Sequence, residues 1–211
     1  MASGAEAEGP TTPKSPAGAN HRRAQIIESA SRLFDQVGYY PTSMDDIAQA
    51  VGIAKPSLYH YFRSKDAILL GIHQEFIALL LSRQAERGKP SDGAVAPQLY
   101  EVMLDILNLM HTHRGHVRVF FEHHRELPPE VHDLANQGRD TYFNSVVQLF
   151  EVGVDKRQIH GNPRLSAMAL FGMCNWAYQW YDPEGPLSPE DVAQSFHDIL
   201  LNGIAVAASP E

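Results

Sequence analysis

The stretch Asp46-Ile47-Ala48-Gln49-Ala50-Val51-Gly52-Ile53-Ala54-Lys55-Pro56-Ser57-Leu58-Tyr59-His60-Tyr61-Phe62 holds two short helical patterns separated by one glycine. Met44, Ile47, Ala48 and Val51 recur at the spacing of a single helical face, so a helix is predicted over 44–51. Ser43 with Asp46 three residues later resembles a capping box, with Asp in place of the usual Glu or Gln. Gly52 ends that helix by permitting the turn. A second helix is predicted over 55–61, with Leu58 and Phe62, four apart, pointing inward. Two short helices joined this way form the helix-turn-helix geometry, whose second helix enters the major groove of DNA.

The side chains left on the other faces of the second helix suit that task. Lys55 can reach guanine or phosphate, and Ser57 can reach either. The Pro56 ring can press on a thymine methyl. The Tyr59 and Tyr61 hydroxyls can donate to phosphate oxygens. Lys65 opens the next helix, where its charge joins backbone N–H groups facing a phosphate.

Upstream, Ile26, Ile27, Ala30, Leu33, Phe34 and Val37 predict a helix over 22–37, stopped at Gly38. Downstream, a helix is predicted from Lys65 to about Arg87. The stretch from Ala24 to Leu70 resembles the N-terminal signature of the TetR family. The residues that carry the likeness are Ala30, Leu33-Phe34, Gly38-Tyr39, Thr42-Ser43, Asp46-Ile47-Ala48, Val51-Gly52-Ile53, Leu58-Tyr59, Tyr61-Phe62 and Ser64-Lys65. The resemblance implies DNA contacts from Thr42, Ser43, Lys55, Pro56, Ser57, Tyr59, Tyr61 and Lys65. It departs from the family at Ala54, where a capping Ser is frequent, and at Tyr61, where His is frequent.

The rest of the chain has helical period as well. After a loop at 88–96, helices are predicted over 97–112, 115–125, 129–156, 163–181 and 188–206. The fold class is therefore all-α, with about nine helices. Residues 1–20, rich in Ala, Gly, Pro, Ser and Thr, read as a disordered tail. Residues 21–65 read as the DNA-binding domain. Residues 66–211 read, by the resemblance, as a ligand-sensing and dimerisation domain whose last two helices pair with their copies in a homodimer. Two-fold symmetry would match a palindromic site in double-stranded DNA.

Candidate effector contacts are Leu107, Met110, Phe120, Phe121, Arg118, Phe143, Phe150 and Trp176, among apolar and aromatic residues that also suit a plain helical core. The segment Trp180-Tyr181-Asp182-Pro183-Glu184-Gly185-Pro186-Leu187 is similar to a stretch in TetR-type regulators of lipid, sterol and aromatic-acid breakdown, several of which respond to acyl-CoA thioesters. Locally it makes the loop before the last helix, which Ser188 caps with Asp191 behind it. A thioester's phosphates need cations, for which Arg114, Arg118, Arg125 and Arg139 are candidates. The expected effector is small and hydrophobic, an acyl-CoA or related carboxylate, with an uncharged or cationic drug-like ligand as the alternative.

Composition bounds the remaining classes. The 211 residues are 44% hydrophobic and 20% charged, with a net charge of −8. That charge argues at first against nucleic acid, but its distribution matters more. The bases Arg22, Arg23, Arg32, Lys55, Arg63 and Lys65 outnumber the acids by one over residues 20–70, and the acid excess lies beyond residue 70. One cysteine, Cys174, excludes an internal disulfide and fits a reducing cytoplasm. Neither a signal peptide nor a membrane span is expected. His111, His113, His116, His123 and His124 cluster in sequence, but no Glu-x-x-His or Cys partner completes a metal site. No phosphate-cradling glycine loop, nucleophile elbow or supported carboxylate pair points to an enzyme or a cofactor. A protein-interaction module without DNA binding is the rival from another class.

Overall fold

A computed structural model describes residues 16–88, 93–123, 125 and 127–204. Among them the helices are α1 (Pro16–Val37), α2 (Met44–Val51), α3 (Lys55–Tyr61), α4 (Lys65–Arg87), α5 (Ala96–Thr112), α6 (Arg114–Glu122), α7 (Pro129–Asp155), α8 (Pro163–Trp176) and α9 (Pro189–Ile204), with a 3₁₀ turn at Ala177–Gln179. The all-α reading holds. Two boundaries differ most from expectation. Helix α1 begins at Pro16, so residues 16–20 of the expected tail are helical, while 1–15 lie outside the described residues. The helix expected over 163–181 ends at Trp176, tightening into the 3₁₀ turn before the proline-rich loop.

The local signals act as read. Ser43 accepts from the Asp46 backbone N–H, and the Asp46 carboxylate accepts from the Ser43 N–H, closing the box at the start of α2. Gly52 adopts φ 70°, ψ 37°, the left-handed conformation that costs a side chain but not glycine. Ser188 and Asp191 repeat the box before α9. Ala54, the N-cap of α3, makes no side-chain cap.

Two cores organise the helices. The N-terminal core joins Ile26, Ala30, Phe34, Ile47, Leu58 and Phe62. It does not stop at residue 65: Ile68, Leu69 and Ile72 of α4 enter it, and so do Val119 of α6 and Leu127. The larger core gathers α4, α5, α7, α8 and α9 around Met103, Ile106, Leu107, Val146, Phe150 and Leu170. Burying an aliphatic or aromatic side chain of this size contributes roughly 1.5–3 kcal/mol. No described helix is long and apolar enough to cross a membrane.

Candidate nucleic-acid interface and ligand cavity

Helix α3 stands on Leu58 and Phe62, fully or almost fully buried, and turns Lys55, Pro56, Ser57 and Tyr59 outward. Tyr59 is 43% exposed. Tyr61 is half-buried, with its ring edge-on to His60. Ser43 is exposed at the start of α2. Lys55 is exposed but holds Asp45 at 2.7 Å, so a phosphate or guanine must compete with that carboxylate. The hydrogen bond to Asp45, with its charge, raises the Lys55 pKa above the ordinary lysine value.

Two of the residues expected at DNA have partners within the fold. Thr42 is buried, and its hydroxyl donates to the Gly38 carbonyl at 2.8 Å, fastening the turn after α1. Lys65 does not face outward. Its ammonium donates to the carbonyls of Tyr39 at 2.7 Å, Tyr40 at 3.2 Å and Thr42 at 2.9 Å, and sits 4.3 Å from the centre of the Tyr39 ring. An ammonium has three N–H donors, and all three are used. The Tyr39 hydroxyl in turn donates to Asp66. The sequence suggested a phosphate ligand because a lysine opens a helix. The fold brings three carbonyls with no helical partner within its reach. Sequence reading also missed Tyr40, which is 75% exposed beside this fastened turn.

A cavity of about 810 Å³ lies among α4, α6, α7 and α8. Phe76, Ile77, Leu80, Ile106 and Tyr142 are buried and form its closed end. Arg125, Arg139, Asp140, Arg164 and Met168 are exposed and define its open side. Arg139 lies only 4.0 Å from Asp140, and Arg164 rests 5.0 Å from the Phe143 ring centre. Among the described residues of the lining, three arginines stand against one aspartate at the mouth.

Of the residues expected at the effector, Phe120, Phe121 and Phe143 line this cavity. Leu107, Met110 and Phe150 do not; they are buried where α5 and α7 meet the other helices. Arg118 turns toward the N-terminal unit, 2.8 Å from Asp35 and 3.4 Å from Glu122. Trp176 does not line the cavity and is 63% exposed. Among the candidate cations, Arg125 and Arg139 line the cavity, whereas Arg114 and Arg118 border a slot of about 10 Å³. Arg164, His73 and His132 line the cavity without having been singled out. No motif marks them, because they come from three helices and only the tertiary fold brings them together.

A helix-turn-helix carrying an exposed recognition face, packed on a helical body that encloses a ligand-sized cavity, defines a DNA-binding regulator with a sensor. The description "Bacterial regulatory proteins, tetR family" matches residues 26–72, and "Tetracyclin repressor-like, C-terminal domain" matches residues 92–204. The chain belongs to the TetR family. It is 26% identical over 196 residues to the HTH-type transcriptional repressor KstR2 of Mycobacterium tuberculosis, covering 88% of this chain and 94% of the relative. It is 26% identical over 204 residues to the HTH-type transcriptional activator FasR of Mycolicibacterium smegmatis, covering 91% of each. The crystal structure of AibR in complex with isovaleryl coenzyme A and operator DNA superposes with a TM-score of 0.74 at 25% identity, covering 84% of this chain and 97% of AibR.

Proposed function

We propose that this chain is a transcriptional repressor that binds a palindromic operator as a homodimer and leaves it when a hydrophobic anion, an acyl-CoA or related carboxylate, enters the cavity. The observation that carries the effector class is the cavity itself: aromatic and aliphatic at its closed end, with Arg125, Arg139 and Arg164 at its mouth. An acyl chain fits the first and a phosphorylated or carboxylate head fits the second. The likeness to AibR, crystallised with an acyl-CoA and DNA, supports the same class. A cationic drug-like ligand would meet like charge at the mouth. The DNA contacts are Ser43, Lys55, Pro56, Ser57, Tyr59 and Tyr61. Two recognition helices at half-site spacing, about 34–36 Å, match the two-fold symmetry of such an operator. Work on chromosomal operators belongs to the cytoplasm.

Effector binding favours a conformation in which α4 has pivoted and the two N-terminal units leave groove register. The effector acts only to the extent of its differential affinity for the two states. The test is release from DNA. A fluorescent duplex from the gene's upstream region is bound to the protein and titrated with acyl-CoA thioesters of several chain lengths. Loss of anisotropy with a chain-length optimum is expected. Firm binding that no thioester disturbs removes the acyl-CoA class and leaves DNA binding in place.

A further inference from the structure

We propose that the effector carries a neutral oxygen, a hydroxyl or a carbonyl, on its hydrocarbon body and remote from its anionic head, and that Asn136 and Asn175 bind it. This rests on the effector class proposed above and narrows it.

The cavity wall is not a plain hydrocarbon sleeve. Within the arginine rim it holds polar side chains from three helices: His73 of α4, Asn136 of α7 and Asn175 of α8. His73 is 3% exposed, and both asparagines are half-buried. Neither asparagine side chain hydrogen-bonds to another described residue.

The packing of the helices brings these groups to one end. Helices α7 and α8 are joined by the turn at 156–162 and run antiparallel. The Phe143 and Phe171 rings meet between them, with centres 5.6 Å apart. From that pair, Asn136 lies two turns toward the start of α7, and Asn175 lies one turn toward the end of α8. In an antiparallel pair those are the same direction. Helices α4 and α7 run parallel: a Cβ on Gly138 would lie 3.1 Å from Ile77, and the Ser145 hydroxyl donates to Gln84 at 2.9 Å. That register sets His73 level with Leu134, within one turn of Asn136. Arg164 lies on the other side of the ring pair, 5.0 Å from the Phe143 centre. No described carboxylate forms an ion pair with Arg164, whereas Arg139 has Asp140 at 4.0 Å. Arg164 and Asn175 are eleven residues apart on one helix, about 16 Å along its axis.

A saturated chain running from Arg164 past the ring pair would cover both amides and offer them nothing. Polar groups buried without a partner are costly, so that chain would lose part of its apolar gain. An oxygen at this point reverses the balance. Each amide has two N–H donors and a carbonyl acceptor. A ligand hydroxyl can donate to one asparagine and accept from the other, and a ligand carbonyl can accept from both. A site built around such bonds rejects the analogue lacking the oxygen far more strongly than an apolar pocket rejects an extra methylene. The place also suits signalling. His73 follows Ile72, which is fully buried in the N-terminal core, so a ligand oxygen held here lies beside the part of α4 that joins cavity and DNA-reading unit.

The experiment is calorimetric titration of the full chain with dodecanoyl-CoA and with its counterparts bearing one hydroxyl at carbon 6, 9 or 12. At least one hydroxylated thioester is expected to bind about tenfold more tightly than dodecanoyl-CoA. In Asn175→Leu, which keeps the size of the side chain, that preference should fall below about twofold, with dodecanoyl-CoA bound at least as tightly as by the wild type. Asn136→Leu gives the same reading from the other helix if the first variant does not fold. Wild-type protein that binds dodecanoyl-CoA as tightly as every hydroxylated counterpart overturns the oxygen and leaves the acyl-CoA class standing. A preference that survives in both variants overturns the assignment to the two amides. Binding of none of these thioesters removes the acyl-CoA class, and this inference with it.

Discussion

Val119 and Phe120 are neighbours on α6, yet Val119 is fully buried in the core of the N-terminal unit while Phe120 forms the wall of the cavity. Helix α6 thus belongs to both units. Its start is pressed on α1, where a Cβ on Gly115 would lie 3.2 Å from the Ser31 carbonyl. Arg118 adds an ion pair to Asp35 of α1 at 2.8 Å. A ligand that displaces Phe120 must displace Val119 with it, because interiors pack too densely to absorb the shift.

Arg118→Gln should weaken this transmission more than it weakens folding. The pair is partly exposed, so its loss should cost under about 1 kcal/mol of stability. Operator affinity without effector should change little. The fold-change in operator affinity produced by a saturating acyl-CoA should shrink several-fold. An undiminished fold-change in anisotropy titrations would show that the signal travels through α4 alone.

His116 makes the same junction sensitive to pH. It is 2% exposed, and its Nδ1 lies 3.1 Å from the Ser31 hydroxyl and 3.7 Å from a Glu28 carboxylate oxygen. The Ser31 hydroxyl donates to the Glu28 carbonyl at 3.0 Å, so the neutral His116 ring must donate from Nδ1. Its Nε2 is buried with no hydrogen-bond partner. Burial, opposed by Glu28 and assisted by His113, lowers its pKa from 6.5 to about 4. The unfolded chain therefore binds the extra proton first as pH falls. Stability is fully present above pH 6.5 and is lost progressively down to about 4. His116→Asn keeps an N–H donor and does not titrate. Comparing urea unfolding at pH 7.5 and 5, the wild type should lose about 2 kcal/mol more than this variant. Equal losses would show that His116 is not held neutral.

The sequence made the helices legible because periodicity and punctuation are local. Ser43 with Asp46, Gly52, and Ser188 with Asp191 declare their ends through bonds between residues two to four apart. The recognition face was legible for the same reason, since Leu58 and Phe62 settle which side of a seven-residue helix is buried. The cavity was not. Phe120, Phe121 and Phe143 line it while Leu107, Met110 and Phe150 pack as core, and apolar side chains on bundle helices look alike until the neighbouring helices are placed. The partners of Lys65 and Arg118 were not legible for a related reason: a cation's nearest acceptor depends on the fold, not on its neighbours in sequence.

Ala54 offers a direct gain in stability. It occupies the N-cap of α3 with extended backbone at φ −67°, ψ 144°, the geometry that a capping serine adopts. Pro56 has no N–H, so a serine hydroxyl at 54 has only the Ser57 N–H to accept from. That N–H already reaches the Ala54 carbonyl at 2.9 Å. The gain from Ala54→Ser should therefore sit near the low end of the capping range, about 0.5–1 kcal/mol. Thermal unfolding should show a rise of roughly 1–4 °C. No rise would mean that the 3₁₀-type bond already satisfies the start of α3.

Tyr59 and its hydroxyl separate DNA contact from packing. The ring is 43% exposed, so Tyr59→Phe should leave the melting temperature unchanged. Loss of one hydrogen bond from the hydroxyl to a charged phosphate should weaken operator binding on the order of tenfold, for about 1.5 kcal/mol. Unchanged operator affinity would remove Tyr59 from the interface.

Lys65 separates a phosphate ligand from a structural clamp. In the clamp, its three bonds to the Tyr39, Tyr40 and Thr42 carbonyls hold the turn that leads from α1 into α2. Lys65→Met keeps the aliphatic stem and removes all three donors. The released carbonyls must find water, and the N-terminal unit should lose about 1–3 kcal/mol. Operator affinity should fall with it, which a phosphate contact would also produce. The dependence on salt distinguishes the two. A lysine that neutralises a phosphate contributes about 0.9 to the slope of log affinity against log salt. A lysine committed to carbonyls contributes none. The variant should therefore bind more weakly at every salt concentration with a slope parallel to the wild type. A slope shallower by about one would return Lys65 to the phosphate backbone, with the ammonium swinging away from its carbonyls when DNA arrives.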